Sequence, residues 1–190
     1  MAKKIMMIRI FDIFLSGLGL IFLSPMLLIL AAFGWMENRS PFFCQVRVGR
    51  HQLPFVLIKF RSMNPNTVSI ATHLVDVSAI TPYGSFLRRT KVDEFPQLWN
   101  VLKGDMSLVG PRPCLFNQEQ LISERAARNV FAVRPGITGL AQIMEIDMST
   151  PRLLAILDSR MIRLLSLHNY LGYIMATALG KGKGDRVRRQ

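Results

Sequence analysis

Acid is scarce in this chain. Only 12 of its 190 residues are Asp or Glu, against 24 Lys or Arg, for a formal net charge of +12. A surplus of that size argues against cationic partners and points to nucleic acid, phosphate-rich small molecules or acidic lipid. Cysteine is nearly absent: Cys44 and Cys114 stand far apart, with no CxxC and no metal-ligand spacing, which excludes a disulfide framework and a zinc module. Aromatic residues make up 9% and do not interleave with the basic ones, as single-strand nucleic-acid binding requires. Charge of either sign is also low. At 19% it lies below the roughly 25% of average soluble proteins, and the mean hydropathy is +0.28. The balance favours a membrane over nucleic acid. The length suits one domain with its own core, and no internal repeat is present.

The apolar excess is concentrated at the start. After Lys3, Lys4 and Arg9, the 23 residues Ile13 to Trp35 carry no charge. A signal peptide would have a shorter run and a small-residue cleavage site. A straight helix of this length reaches ~35 Å, enough to cross a ~30 Å hydrocarbon core. Two features argue against simple spanning. Ser24-Pro25 falls mid-run, where Pro removes a donor that the Ser24 hydroxyl would have to replace. Basic residues also flank both ends, with Arg39, Arg47 and Arg50 following, so the positive-inside rule gives no orientation. A helix broken at Ser24-Pro25 that enters and leaves by one face satisfies both facts; a spanning anchor remains the other reading.

Beyond it, PFVLIKF reads as a short buried strand with Gly49 and Pro54 as turn markers. Residues 64–81 are polar and aperiodic, the pattern of a surface loop. In VDEFPQLWNVL, Val92, Phe95, Leu98, Trp99 and Leu102 recur at helical spacing and predict one buried face. Asp93, Gln97 and Asn100 share the opposite, polar face. Pro96 suits only a first turn, so the helix is expected to begin near Asp93. Residues 115–131 form a polar helix candidate. In PRLLAILDSRMIRLL, at 151–165, Leu153, Leu157, Met161, Leu164 and Leu165 form a stripe with Arg152, Arg160 and Arg163 elsewhere; such a helix can lie on a membrane or face a core. Residues 181–190 form a basic tail that can meet anionic lipid.

The chemistry gathers at TKVDEFPQLWNVLKGDMSLVGPRP. Asp93-Glu94 is an acidic pair in a basic chain, either a helix cap or a site for a nucleophile, base or Mg²⁺. In GPRP, two prolines stiffen the backbone around Arg112, and a preordered guanidinium pairs readily with phosphate oxygens. Lys59, Arg61, Arg88 and Arg134 are further candidate phosphate ligands. The grouping is that of phosphoryl transfer.

QVRVG at 45–49, IKFRSM at 58–63, RRTKVDEFPQLWNVLKGDMSLVGPRP at 88–113 and VRPGITGLAQI at 133–143 resemble the bacterial sugar transferases, and within them the small monotopic phosphoglycosyl transferases. The resemblance runs over about residues 5–143 and weakens after that. It implies an α+β, mostly helical protein: a re-entrant membrane helix over 1–36 broken at Ser24-Pro25, a cytosolic catalytic domain over 37–180 with interfacial amphipathic helices, and a flexible tail over 181–190. It implies transfer of a sugar 1-phosphate from a UDP-sugar to polyprenol (undecaprenyl) phosphate with release of UMP. The implied setting is the cytoplasmic face of a bacterial inner membrane, as the first membrane step of glycoconjugate assembly. Position by position, Asp93 corresponds to a nucleophile that forms a covalent phosphosugar intermediate, Glu94 to its partner and Mg²⁺ contact, and Lys59, Arg88 and Arg112 to cations around the phosphates. A homodimer is compatible with the resemblance; nucleic acid is not implied.

The chain departs from the family pattern after Gln142. Where a short Asn-Gly-Arg motif is usual it reads IMEIDMST, so an Arg implied in donor binding is absent from its place. Gln142 itself and Asp158, which matches a family acidic position, are further site candidates. The departure keeps an alternative open: a catalytically impaired, membrane-anchored relative that holds lipid phosphates or a partner enzyme.

Overall fold

The computed structural model describes residues 2–64 and 80–182. The loop expected over 64–81 and the tail over 181–190 therefore lie outside the described residues except at their edges. The fold is mostly helical α+β, as expected. Helix α1 (Ala2–Asn38) is followed by an antiparallel hairpin, β1 (Phe42–Val48) and β2 (Pro54–Phe60), paired from Phe42↔Phe60 to Val48↔Pro54. Then come α2 (Pro82–Thr90), α3 (Gln97–Lys103), β3 (Ser107–Val109), α4 (Glu119–Ala126), β4 (Gly136–Thr138), α5 (Leu140–Ile143), α6 (Pro151–Leu164) and α7 (Leu167–Ala178). Strands β3 and β4 pair in parallel, which requires a crossover; α4 lies within it.

Helix α1 runs through Ser24-Pro25 as one helix, where a break was expected. Pro25 cannot donate to the carbonyl four residues back, Ile21, and the Ser24 hydroxyl donates to that same oxygen at 2.8 Å. The helix is long and apolar enough to cross a membrane by length and composition. One stripe is covered by the domain: Ile8, Asp12 and Ser16 near one end, Leu30 and Gly34 near the other. Ile8 packs with Val109, Met161 and Tyr170, whereas Leu30 packs with Phe60 and Leu87. Asp12 is the polar anchor of the first end. Its Oδ1 accepts from the Ser107 hydroxyl (2.9 Å), the Leu108 N–H (2.8 Å) and the Tyr170 hydroxyl (2.8 Å). The rest of α1 exposes large apolar side chains, Phe14, Ile21, Phe22, Leu28 and Phe33 among them.

The segment around the acidic pair buries the polar face that was expected to lie opposite the core. Asp93, Gln97 and Asn100 are buried, while Trp99 is 54% exposed. Hydrogen bonding explains the burial, because the Asn100 side chain accepts from the Ile58 N–H (3.1 Å) and donates to the Val56 carbonyl (2.7 Å). The polar face thereby clasps β2; of the apolar residues only Trp99 is exposed, while Val92 packs against the cluster of Leu30, Phe60 and Leu87 and Leu98 lies against Gly19 of α1. The α-helix starts at Gln97 behind Pro96; Asp93 and Glu94 sit in a preceding 3-10 turn over Val92–Glu94.

Two other helices differ in detail. The polar candidate over 115–131 shortens to α4, and Asn129, in a left-handed conformation (φ 56°), keeps a helix from running on to 131. Helix α6 forms as expected but buries Leu154, Ala155, Leu157, Asp158 and Met161, leaving Leu153 and Leu164 exposed. The buried stripe is rotated toward Asp158 because Arg125 of α4 reaches across to that carboxylate.

Where β3 and β4 end, Gly110 and Gly136 touch backbone to backbone: the Gly136 N–H donates to Pro111 (2.9 Å) and the Gly110 N–H to Thr138 (2.9 Å). A Cβ on Gly136 would strike the backbone at Gly110 and Val109. Gly136→Ala is therefore expected to cost about 3 kcal/mol or more, read as a lower denaturation midpoint of the detergent-solubilised protein. An unchanged midpoint would show that the two segments can move apart.

Candidate active site

Lys91 closes α2 in a left-handed conformation (φ 58°) and turns the chain so that Asp93 points inward. Asp93 caps no helix, since α3 begins beyond Pro96. It is only 7% exposed, and its carboxyl is pushed up to about 6, first by burial and then by the neighbouring Glu94 charge, with Lys59, Arg88 and Arg112 pulling it back. A buried carboxylate beside a like charge is disfavoured in its ionised form. Three cations arriving from three segments keep it ionised near neutrality.

Each cation is delivered by local structure. Lys59 lies on β2, its Nζ 5.5 Å from the centre of the Phe43 ring. Arg88 is in the last turn of α2 and donates from Nε to the Ser62 hydroxyl at 2.9 Å. Arg112 reaches Glu94, Nη2 to Oε1 at 3.0 Å. The prolines are only part of what holds Arg112. The four carbonyls from Pro111 to Cys114 each accept one hydrogen bond, from the Gly136 N–H (2.9 Å), Arg125 Nη1 (2.8 Å), Arg47 Nη1 (3.3 Å) and the Val48 N–H (2.9 Å) in turn.

The remaining sequence candidates are not all gathered here. Gln142 is: with Glu94, Arg112, Lys91, Thr138 and Lys181 it lines an open cleft of about 120 Å³. Both polar atoms of its amide are inaccessible and have no hydrogen-bond partner among the described residues. The segment that departs from the family pattern supplies Glu145 and Asp147 to the same cleft. Arg61 is spent elsewhere, donating to the Ser40 carbonyl (3.1 Å) and hydroxyl (3.1 Å) and to the Phe42 carbonyl (3.2 Å) at the α1–β1 junction. Arg134 donates to the Gly104 carbonyl at 2.8 Å and has Arg9 and Arg50 as charged neighbours. Asp158 is buried against Arg125, and Ser24 and Pro25 lie on α1. Sequence reasoning missed Arg125 and Arg47, which carry no local signal. It also passed over Asp12, whose signal was available as the carboxylate immediately before the uncharged run.

A model of the bacterial sugar transferase family matches residues 3–181, and the chain belongs to that family. Among its relatives, a sugar transferase of Bacillus subtilis, EpsL, is 45% identical over 136 residues, covering 71% of this chain and 67% of that protein. The UDP-glucose:undecaprenyl-phosphate glucose-1-phosphate transferase of Klebsiella pneumoniae is 44% identical over 144 residues, covering 71% of this chain and 30% of that one. The undecaprenyl-phosphate galactose phosphotransferase of Salmonella typhimurium is 33% identical over 190 residues, covering 90% and 39%. Against those two transferases the chain matches well under half of their length.

The raised Asp93 value has a consequence for stability. The folded state binds this proton more tightly than the unfolded one, so stability falls as pH rises from the ordinary carboxylate range through about 6 and is level above it. Asp93→Asn is expected to be more stable than the parent at pH 7.5, by on the order of 1–3 kcal/mol, with the gain shrinking toward pH 4. Denaturation midpoints across that range check it; an equal or lower midpoint at pH 7.5 would contradict the burial argument.

Proposed function

We propose that this chain transfers a sugar 1-phosphate from a UDP-sugar to polyprenol (undecaprenyl) phosphate, releasing UMP, by way of a phosphosugar bound to Asp93. The observation that carries it is the buried Asp93 carboxyl facing Lys59, Arg88 and Arg112. An Asp93 oxygen attacks the β-phosphorus of the donor, and the bond from that phosphorus to the bridging oxygen breaks. The electron pair leaves with UMP, and an acyl phosphate remains. A phosphate oxygen of the polyprenol phosphate then attacks the same phosphorus and Asp93 departs as a carboxylate. The three cations neutralise charge on the phosphoryl oxygens, while Glu94 holds Arg112 toward the reaction (3.0 Å). The named activities of the Klebsiella and Salmonella relatives support this substrate pair.

Mg²⁺ fits the residues present. Among the described residues no cluster of three or more metal-ligating side chains exists, but Mg²⁺ commonly uses one or two carboxylates plus substrate phosphates. Asp93 and Glu94 would hold it, and it would supply charge neutralisation on the diphosphate. A homodimer is not needed for any of these roles.

For the membrane, we favour a helix α1 that stays continuous but bends at Ser24-Pro25, so that it enters and leaves by one face. Arg9, near one end, donates to the Val101 and Leu102 carbonyls (2.6 and 2.9 Å). Near the other end the Leu30 carbonyl accepts from the Tyr83 hydroxyl (2.6 Å). Both ends are thus tied to the same domain, whereas a perpendicular crossing would separate positions 8 and 30 by ~33 Å of membrane depth. The exposed apolar face of α1 and Trp99 would face lipid. On α6, exposed Leu153, Ile156 and Leu164 alternate with Arg152, Arg160 and Arg163, which suits an interface with acidic headgroups. The cytoplasmic face of the bacterial inner membrane fits both the nucleotide donor and the basic surface.

The full chain in nanodiscs with undecaprenyl phosphate, Mg²⁺ and a panel of UDP-sugars is expected to release UMP with at least one donor. Asp93→Ala should lose about 10⁴-fold or more, and intact mass should detect a phosphosugar adduct on the parent alone. An adduct-free, turnover-free parent would favour a relative that only binds lipid phosphate; turnover retained without Asp93 would eliminate the covalent route.

A further inference from the structure

We infer that Arg125 is a positioning residue for Arg112, held in register by Asp158, and that the three residues act as one unit on the donor phosphates. The inference rests on the reading of Arg112 as a phosphate ligand. Arg125 and Asp158 are each 1% exposed, on α4 and α6. The Arg125 guanidinium donates from Nε to Asp158 Oδ2 (2.9 Å), with Nη2 in ion-pair contact with the same oxygen (2.8 Å), and donates from Nη1 to the Arg112 carbonyl (2.8 Å). Burying an ion pair is expensive, and well-packed apolar residues join two helices as well or better. What an apolar pair cannot supply is a directed donor to a third group. The guanidinium is planar and its N–H directions are fixed, so anchoring one edge on Asp158 sets the direction of the remaining donor.

The third group is the one backbone position that most needs it. Pro111 and Pro113 flank Arg112 and offer no N–H, so a ladder of the kind that holds a strand cannot form along this segment. Its carbonyls must hold it, and the Arg112 carbonyl has the Arg125 bond. On the other side of the same residue, the Arg112 side chain spans to Glu94 at 3.0 Å. A shift of Arg112 by a fraction of an ångström would disturb Glu94 and the charge facing Asp93 together.

The test is a double-mutant cycle on the full chain in nanodiscs, combining Arg125→Lys with Arg112→Ala. Lys keeps the charge and loses the fixed fork. Arg125→Lys alone is expected to lower kcat/KM for UMP release about 10- to 100-fold, and Arg112→Ala about 10²- to 10³-fold. The double variant should match Arg112→Ala within about twofold, while the Tm drop from Arg125→Lys persists in both backgrounds. Losses that multiply would overturn the inference and leave Arg125 a purely structural residue. Should Arg125→Lys not fold, Asp158→Asn, nearly isosteric, is expected to give the same pattern through a misdirected Arg125. Calorimetric Kd values for UDP repeat the cycle without turnover. A parent that binds UDP but turns over no donor sinks the proposed function and leaves this inference to the affinities; a parent that binds no UDP sinks both.

Discussion

The carbonyls of residues 111–114 are the constraint on which the site depends. Two prolines make this segment stiff, yet they also remove the N–H groups by which a strand is ordinarily held. Its position is therefore decided by what its oxygens accept: one backbone N–H from β4, one from β1 and two arginine side chains from distant segments. The contact between Gly110 and Gly136 lets the strands approach closely enough for the first of these. Arg112 is the product of that arrangement, presented to Glu94 on a backbone with little freedom left. A guanidinium prepared in this way would lose little entropy on pairing with an anion.

The same economy of polar groups governs the apolar helix. A long hydrophobic segment with a mid-run proline has a carbonyl without its donor, and the Ser24 hydroxyl supplies one. Asp12, buried at the domain end, is satisfied by three donors from β3 and α7, as a buried carboxylate must be. Because β3 runs directly into the Gly110–Cys114 segment, the helix and the site share a foundation. The face that carries the acidic pair is polar and inward, and the large apolar side chains of α1 and Trp99 are outward. This explains why α3 shows its Asn and Gln to the protein and its Trp to the outside.

Much of the chemistry was legible in the sequence because it is local. The Asp93-Glu94 pair, the proline-flanked Arg112 and the strand over PFVLIKF are each contained within a few residues, and spacing and φ restriction act at that range. Family likeness then attached roles to them. Other expectations misread direction. Periodicity in VDEFPQLWNVL marked two faces but not that the polar one is buried, since Asn100 finds its backbone partners on β2, far away in the chain. Arg61 and Arg134 were legible as cations and not as clamps on carbonyls, because a long guanidinium can satisfy any acceptor within reach.

What the sequence by itself determined is the acidic pair, its stiff basic companion and an apolar segment whose serine can repair its proline. These follow from residue identity and short-range sterics. Only the tertiary structure decided that Lys59, Arg88 and Arg112 converge on one buried carboxyl, that Arg125 and Asp158 stand behind Arg112, and that both ends of α1 rest on one domain. The physical reason is that each depends on packing between segments far apart in the chain, where burial, hydrogen-bond satisfaction and charge are settled together.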